Sequence, residues 1–181
     1  VVGAYQINTG LNAFVQGTGF GAGSWGSGTW GSSSSVSAAG QLRLISQDNF
    51  GEDLLALPKE GRLYVWDESA GTGTRSVVVS TAPSASNFMF VSQQDRHVIC
   101  LGTHGVASGF DPMLVRWSDQ NDYTNWNVNV SSTSGENQLG DGSELVTGLN
   151  TRNQSLIWTD NAVHAMEFVG PPFIFNFRQL G

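Results

Sequence analysis

Three short apolar strings in this chain end in tryptophan and run into a turn-forming aspartate. They are Leu63-Tyr64-Val65-Trp66-Asp67, Leu114-Val115-Arg116-Trp117-Ser118-Asp119 and Leu156-Ile157-Trp158-Thr159-Asp160. The tryptophans are 51 and 41 residues apart, and units recurring at about 40 to 50 residues are the size of four-stranded propeller blades. A tryptophan at the same strand position of each unit would wedge between successive blades. Trp66, Trp117 and Trp158 are therefore expected to be buried structural aromatics at equivalent positions. A β-sandwich with tryptophans repeated by chance is the alternative.

The rest of the chain supports an all-β reading. Short apolar runs are divided by turn residues, and no window carries a sustained helical period. Strands are expected at 42–45, 54–57, 62–67, 76–79, 87–91, 96–101 and 113–117. Asp48-Asn49-Phe50-Gly51 reads as a turn, and Pro58-Lys59-Glu60-Gly61 as the tight turn of a hairpin. Residues 144–149, 155–159 and 162–168, with turns at Asn150-Thr151-Arg152-Asn153 and Asp160-Asn161, predict a three-stranded antiparallel meander. Residues 1–40 are different: a Gly/Ser-rich stretch with a five-residue repeat, Gly23-Ser24-Trp25-Gly26-Ser27 then Gly28-Thr29-Trp30-Gly31-Ser32. Glycine frees the backbone and tryptophan can anchor a loop, so this stretch reads as an irregular arm preceding a β-blade region over 41–181. The chain opens on Val1-Val2, and Pro171-Pro172 followed by Phe173-Ile174-Phe175 reads as the start of a further unit. The expectation is a fragment of a longer, propeller-bearing chain.

Composition excludes several classes. Charged residues make up 13 % of the chain, about half the usual share. Lys59 is the single lysine, which argues against a coiled coil or helical bundle. Eight Lys and Arg against 15 Asp and Glu give a net charge of −7, the wrong sign for a protein that grips phosphates. Cys100 has no partner for a disulfide framework. No apolar run reaches the roughly 18 residues of a membrane span.

Candidate chemistry is sparse. Gly21-Ala22-Gly23-Ser24-Trp25-Gly26 fits a dinucleotide fingerprint in letters, but Ser and Gly follow where that site needs a helix. His97, His104 and His164 form no pair at metal-ligand spacing, and two of them lie within apolar strands. Asp141-Gly142-Ser143-Glu144 lacks the alternating oxygen ligands of a calcium loop and reads as a turn. No G-x-S-x-G elbow is present. Ser46 to Gly51 and Ser118-Asp119 through Trp126 resemble the Asp-box turns of sialidase propellers, with the glycine late in the first and missing in the second. Asn129-Val130-Ser131 and Asn153-Gln154-Ser155 fit the glycosylation pattern, which matters only in a secreted eukaryotic protein. The expectation is no catalytic residue, no cofactor and no metal.

Longer strings carry a resemblance. Gly40-Gln41-Leu42-Arg43-Leu44-Ile45-Ser46-Gln47-Asp48-Asn49-Phe50-Gly51-Glu52-Asp53-Leu54, Arg116-Trp117-Ser118-Asp119-Gln120 with Trp126 after it, and Gly142-Ser143-Glu144-Leu145-Val146-Thr147-Gly148-Leu149 are three of them. Thr151-Arg152, Leu156 to Asp160, Val169-Gly170-Pro171-Pro172-Phe173 and the arm from Trp25 to Gly31 continue the pattern. Together these resemble structural tail proteins of short-tailed bacteriophages, the tail nozzle (tail tubular protein B) and tail hub group. The resemblance implies a propeller-bearing, non-enzymatic virion subunit assembled in the bacterial host cytoplasm. It implies a homohexameric ring that contacts portal, adaptor and other tail proteins. The ring's central channel would retain packaged DNA and eject it, contacting duplex DNA weakly. The alternative is a glycan-binding or glycan-cleaving propeller of a tail fibre or secreted protein.

Overall fold

The computed structural model describes residues 44–181. The expected arm over 1–40 and its glycine motif lie outside the described residues. The described residues form twelve strands: β1 (Ile45–Phe50), β2 (Asp53–Pro58), β3 (Tyr64–Trp66), β4 (Val77–Val78), β5 (Ser86–Ser92), β6 (His97–His104), β7 (Phe110–Trp117), β8 (Gly135–Gln138), β9 (Leu145–Asn150), β10 (Ser155–Thr159), β11 (Val163–Gly170) and β12 (Ile174–Gln179). One 3-10 turn, Glu68–Ala70, is capped by the Asp67 side chain accepting from the Ser69 N–H. The all-β expectation holds.

The strands build three four-stranded antiparallel sheets in strict chain order, β1–β4, β5–β8 and β9–β12. The hairpin around Pro58 forms as read, with Leu54 opposite Trp66 and Ala56 opposite Tyr64. The Gly61 N–H closes its turn on the Pro58 carbonyl at 2.8 Å. The meander from residue 144 also forms.

Three local expectations are corrected. Of the strand expected at 42–45, residues 42 and 43 lie outside the described residues; a turn was expected at 48–51, but β1 runs from Ile45 through Asp48 and Asn49 to Phe50, and the turn falls at Gly51-Glu52. The reason is that the polar side chains on one side of β1 have partners on the next sheet. Ser46 Oγ accepts from the Met89 N–H at 3.1 Å and Asp48 Oδ2 from the Val91 N–H at 2.9 Å. Phe173-Ile174-Phe175 does not open a further unit: Ile174 and Phe175 belong to β12, which closes the third sheet against β11. Finally, β8 has a polar sequence and went unread. Its ladder with β7 orders it, Gly135 standing opposite Trp117 and Gln138 opposite Leu114.

The second sheet lies between the other two, so β5 and β6 lack polar alternation, as expected for strands covered on both faces. Phe90, Ile99, Leu101, Val115 and Trp117 pack with Leu145, Ile157, Met166 and Phe175 of the third sheet. Met89, Val91, Val98 and Cys100 alternate with them and pack with Phe50, Leu55, Leu57 and Val65 of the first. Close approach on the third-sheet side depends on Gly148. A Cβ there would sit 2.8 Å from Phe90 Cδ1. The opening strands β1, β5 and β9 are each an edge of their own sheet, and β5 packs against both β1 and β9. No backbone ladder joins them; side chains do, including Ser46, Asp48 and Asn150, whose amide donates to the Val91 carbonyl.

Candidate functional site

The three tryptophans do not share one environment. Trp117, at the end of β7, is 5 % exposed and belongs to the core between the second and third sheets. Its ring meets Phe175 edge-on at 5.2 Å and Phe177 at 6.0 Å, and its Nε1–H donates to the Thr133 carbonyl at 2.8 Å. Trp66 ends β3, the third strand of its sheet like β7, but is half-buried. Trp158 lies in β10, a second strand, and is also half-buried. The expectation of three equivalent buried wedges is therefore corrected. Trp66 pairs with Leu54 and alternates with inward-facing Val65. Trp158 alternates with inward-facing Ile157. Both thus lie on the outer faces of the first and third sheets, where no described sheet covers them.

The loop after β7 holds the densest polar network. Asp119 Oδ1 accepts from the Gln120 N–H, the Thr133 N–H and the Thr133 hydroxyl at 2.9, 2.8 and 2.6 Å. Oδ2 accepts from the Asn125 amide at 2.9 Å. Burial pushes the Asp119 carboxyl up, but these donors outweigh it and hold it below the ordinary carboxylate range. Ser118 is buried and its hydroxyl accepts from the Val98 N–H at 3.0 Å. Trp126 is buried and donates to the Tyr123 carbonyl at 2.8 Å. The Asp-box-like string is thus a loop clamp. A carboxylate with four internal donors has little capacity left for a substrate.

His97 abuts this clamp. It is fully buried, with Phe175 and Phe168 ring centroids at 5.1 and 5.7 Å. The Thr133 hydroxyl hydrogen is directed to Asp119, so its oxygen accepts from His97 Nε2–H at 3.1 Å. That fixes the tautomer and leaves Nδ1 buried without a partner. Burial pushes the imidazole below its ordinary value of 6.5, against the opposing pull of Asp95 and Asp119. His164 is buried with its Nε2 unpartnered, and His104 stacks edge-on with Phe110 at 5.7 Å. Arg116 is nearly buried. It donates to the His104 and Trp126 carbonyls at 2.9 and 3.1 Å and lies 3.6 Å from the Glu136 carboxylate. Its charge braces the second sheet from β6 to the clamp loop.

Asp141 to Ser143 form a bend held by Asp160, which accepts from the Ser143 N–H and hydroxyl at 2.8 and 2.6 Å. Among the described residues no group of three or more His, Cys, Asp or Glu side chains is gathered as for a metal, and no helix is long and apolar enough to cross a membrane. Cys100 is buried, and burial pushes its thiol up to about 12. An open cavity of about 320 Å³ lies where the opening strands begin, lined by Leu44, Ile45, Phe88, Leu145 and Val146, with Lys59 and Glu144 also in its wall. What sequence reading missed is this junction of opening strands. Its signal is the spacing of Ser46 and Asp48, two residues apart on one side of a strand, each of which accepts from a β5 N–H. Compared with family models, curated proteins and solved structures, the chain matches none.

Proposed function

We propose that the chain is a non-enzymatic structural subunit of a short-tailed phage tail, in the nozzle or hub ring, and that its three sheets are successive blades of a propeller. The observation that carries the blade reading is the winding: three four-stranded meanders in chain order, each opening on an edge strand, with β5 against both β1 and β9. Propeller blades are built this way, with their opening strands around an axis and their faces stacked. The tail reading rests on the family-like strings along most of the chain. It is supported by polar groups that serve the scaffold: the Asp119 carboxylate, the Ser118 hydroxyl and the Arg116 guanidinium all bind the protein's own backbone or side chains.

Electrostatics fit a conduit. A wall that passes DNA must not hold it, and a net charge of −7 repels phosphates. Electron microscopy of tails carrying the labelled protein tests the reading: the label is expected in a ring beneath the portal. In solution, duplex DNA is expected to bind weakly at physiological salt. A label elsewhere in the virion, or tight DNA binding that collapses with added salt, would refute it. Binding to a glycan array, or release of sugar, would move the assignment to the glycan-handling alternative.

A further inference from the structure

We propose that His97 is an acid-sensitive latch on the seam between the second and third sheets, and that a proton taken up by its imidazole frees the β11–β12 end of the third sheet while the second sheet and the loop after β7 stay folded. The inference needs neither the blade reading nor the tail assignment. The ring stands where three elements meet. It opens β6 and is fully buried. On one side the Thr133 hydroxyl oxygen lies 3.1 Å from His97 Nε2. On the other lie the phenyl rings of Phe168 in β11 and Phe175 in β12. These two rings meet each other edge-on at 5.6 Å, so they form one aromatic cover over the imidazole.

The two sides hold the ring unequally. Thr133 is anchored twice on Asp119, through its N–H at 2.8 Å and its hydroxyl at 2.6 Å. The Asp119 carboxyl is held below the ordinary carboxylate range, so this anchor stays charged while an imidazole titrates. The phenyl rings offer no polar group. Nε2–H is already used by Thr133 and Nδ1 is buried without a partner, so a proton on Nδ1 creates a buried cation with an unsatisfied donor. Among the described residues, the charged groups facing the ring are Asp95 from the β5–β6 turn and Asp119 from the loop, while β11 and β12 meet it with phenyl rings. Burial outweighs both carboxylates and the Asp95 backbone, and holds the imidazole below its ordinary value of 6.5. The way to water runs past Phe168. That residue is half-buried, and it also lines a small polar recess of about 40 Å³ together with Asp95, Asn150, Gln154 and Ser155. The β11–β12 ladder shifts register between Phe168 and Gly170, which weakens it beside that ring. Movement of Phe168 therefore lets water reach the charged ring beside Asp95. In the open form the imidazole regains its ordinary value, so the open form binds the proton more readily than the closed one. Opening is favoured as pH falls below about 6.5 and is unaffected above it. At about pH 5 the gain is up to about thirtyfold, the ratio of protonated to neutral imidazole in the open form.

The test is hydrogen exchange of the 181-residue chain at about pH 7.5 and about pH 5, read peptide by peptide and corrected for the pH dependence of free amides. Amides of β11 and β12 are expected to exchange faster at the lower pH, by up to about thirtyfold, while those of the first sheet and of Val98 to Leu101 change far less. His97→Gln keeps an amide donor for Thr133 but does not titrate, and should lose the acceleration. His164→Gln, at the buried histidine of β11 itself, should keep it. No acceleration in β11 and β12, or acceleration that survives His97→Gln or vanishes with His164→Gln, overturns the proposal. So does equal acceleration in all three sheets, which would mean that the proton acts through unfolding of the whole molecule. The wild-type map and His164→Gln decide the matter even where His97→Gln fails to fold.

Discussion

Replacing Trp117 by alanine probes the contact between the second and third sheets most directly. The indole is 5 % exposed. Truncation removes its edge-on contact with Phe175 and its contact with Phe177, and leaves the Thr133 carbonyl without its indole donor. Gly135 lies so close that a Cβ there would be 2.5 Å from Trp117 Cζ2, so the ring has backbone against one face and phenyl rings against another. A site walled by sheet backbone collapses little when emptied. Burying an aromatic of this size in such a site is worth about 3 to 5 kcal/mol by the large-to-small scale, with about 1 kcal/mol of that range attributable to the lost hydrogen bond. Trp117→Phe keeps most of the ring contacts and should recover more than half of the loss. Trp158→Ala is the control. Its side chain is half-buried on an outer face, so its loss should cost about 1 to 2 kcal/mol, in proportion to the smaller area removed from water. Urea unfolding followed by circular dichroism gives the midpoints, with unchanged slope as the condition for reading them as stability. A Trp117→Ala cost within error of the Trp158→Ala cost would refute the assignment of Trp117 to a packed interior and of Trp158 to an outer face.

Gly148→Ala should destabilise by about 1 to 3 kcal/mol, because the added methyl meets Phe90 in a packed contact. Pairing it with Phe90→Leu in a double-mutant cycle should return a coupling energy clearly different from zero. His97 makes stability pH-dependent. Its folded value is pushed below 6.5, so the unfolded chain binds the proton more readily. Stability is whole above about pH 6.5 and falls as pH drops below it. Urea midpoints should decline between about pH 7 and pH 5 in the wild type, and His97→Gln should flatten that decline. Cys100 is expected to be inert to thiol reagents in the folded protein, and to react at the rate of a free thiol once denaturant is added, since burial pushes it up to about 12.

The strands legible in the sequence are those whose own residues favour a strand, such as Ser86–Ser92, His97–His104 and Ser155–Thr159. Those missed are ordered by partners. Ile45–Phe50 extends through Asp48-Asn49 because Asp48 finds the Val91 N–H 43 residues away. Gly135–Gln138 pairs because β7 provides a ladder, although its own letters favour a turn. The all-β class was legible in the short apolar runs divided by turn residues, whereas the tryptophan repeat led to the wrong equivalence. A string such as Leu-Ile-Trp-Thr-Asp records that a strand ends in an aromatic. It does not record which strand of a sheet it is or which face the ring takes, since one residue of phase reverses the face. The Asp119 clamp was visible as a motif, but only the placement of Thr133 and Asn125 reveals that its carboxylate is already occupied.

The opening strands meet through side chains instead of a shared ladder, and this sets how the molecule comes apart. Backbone hydrogen bonds lie mostly within each sheet, but the Glu60 N–H donates to the Ser86 carbonyl at 2.8 Å and the Ser86 N–H to the Gly61 carbonyl at 3.0 Å, tying the first sheet's turn to β5, so the third sheet detaches more freely than the first. The chain then behaves as a short row of coupled blocks, with cooperativity carried by the apolar seams between them. The middle block loses two seams to unfold and the outer ones lose one each, which ranks their opening free energies. Amide protons of Val98 to Leu101 sit at the top of that ranking.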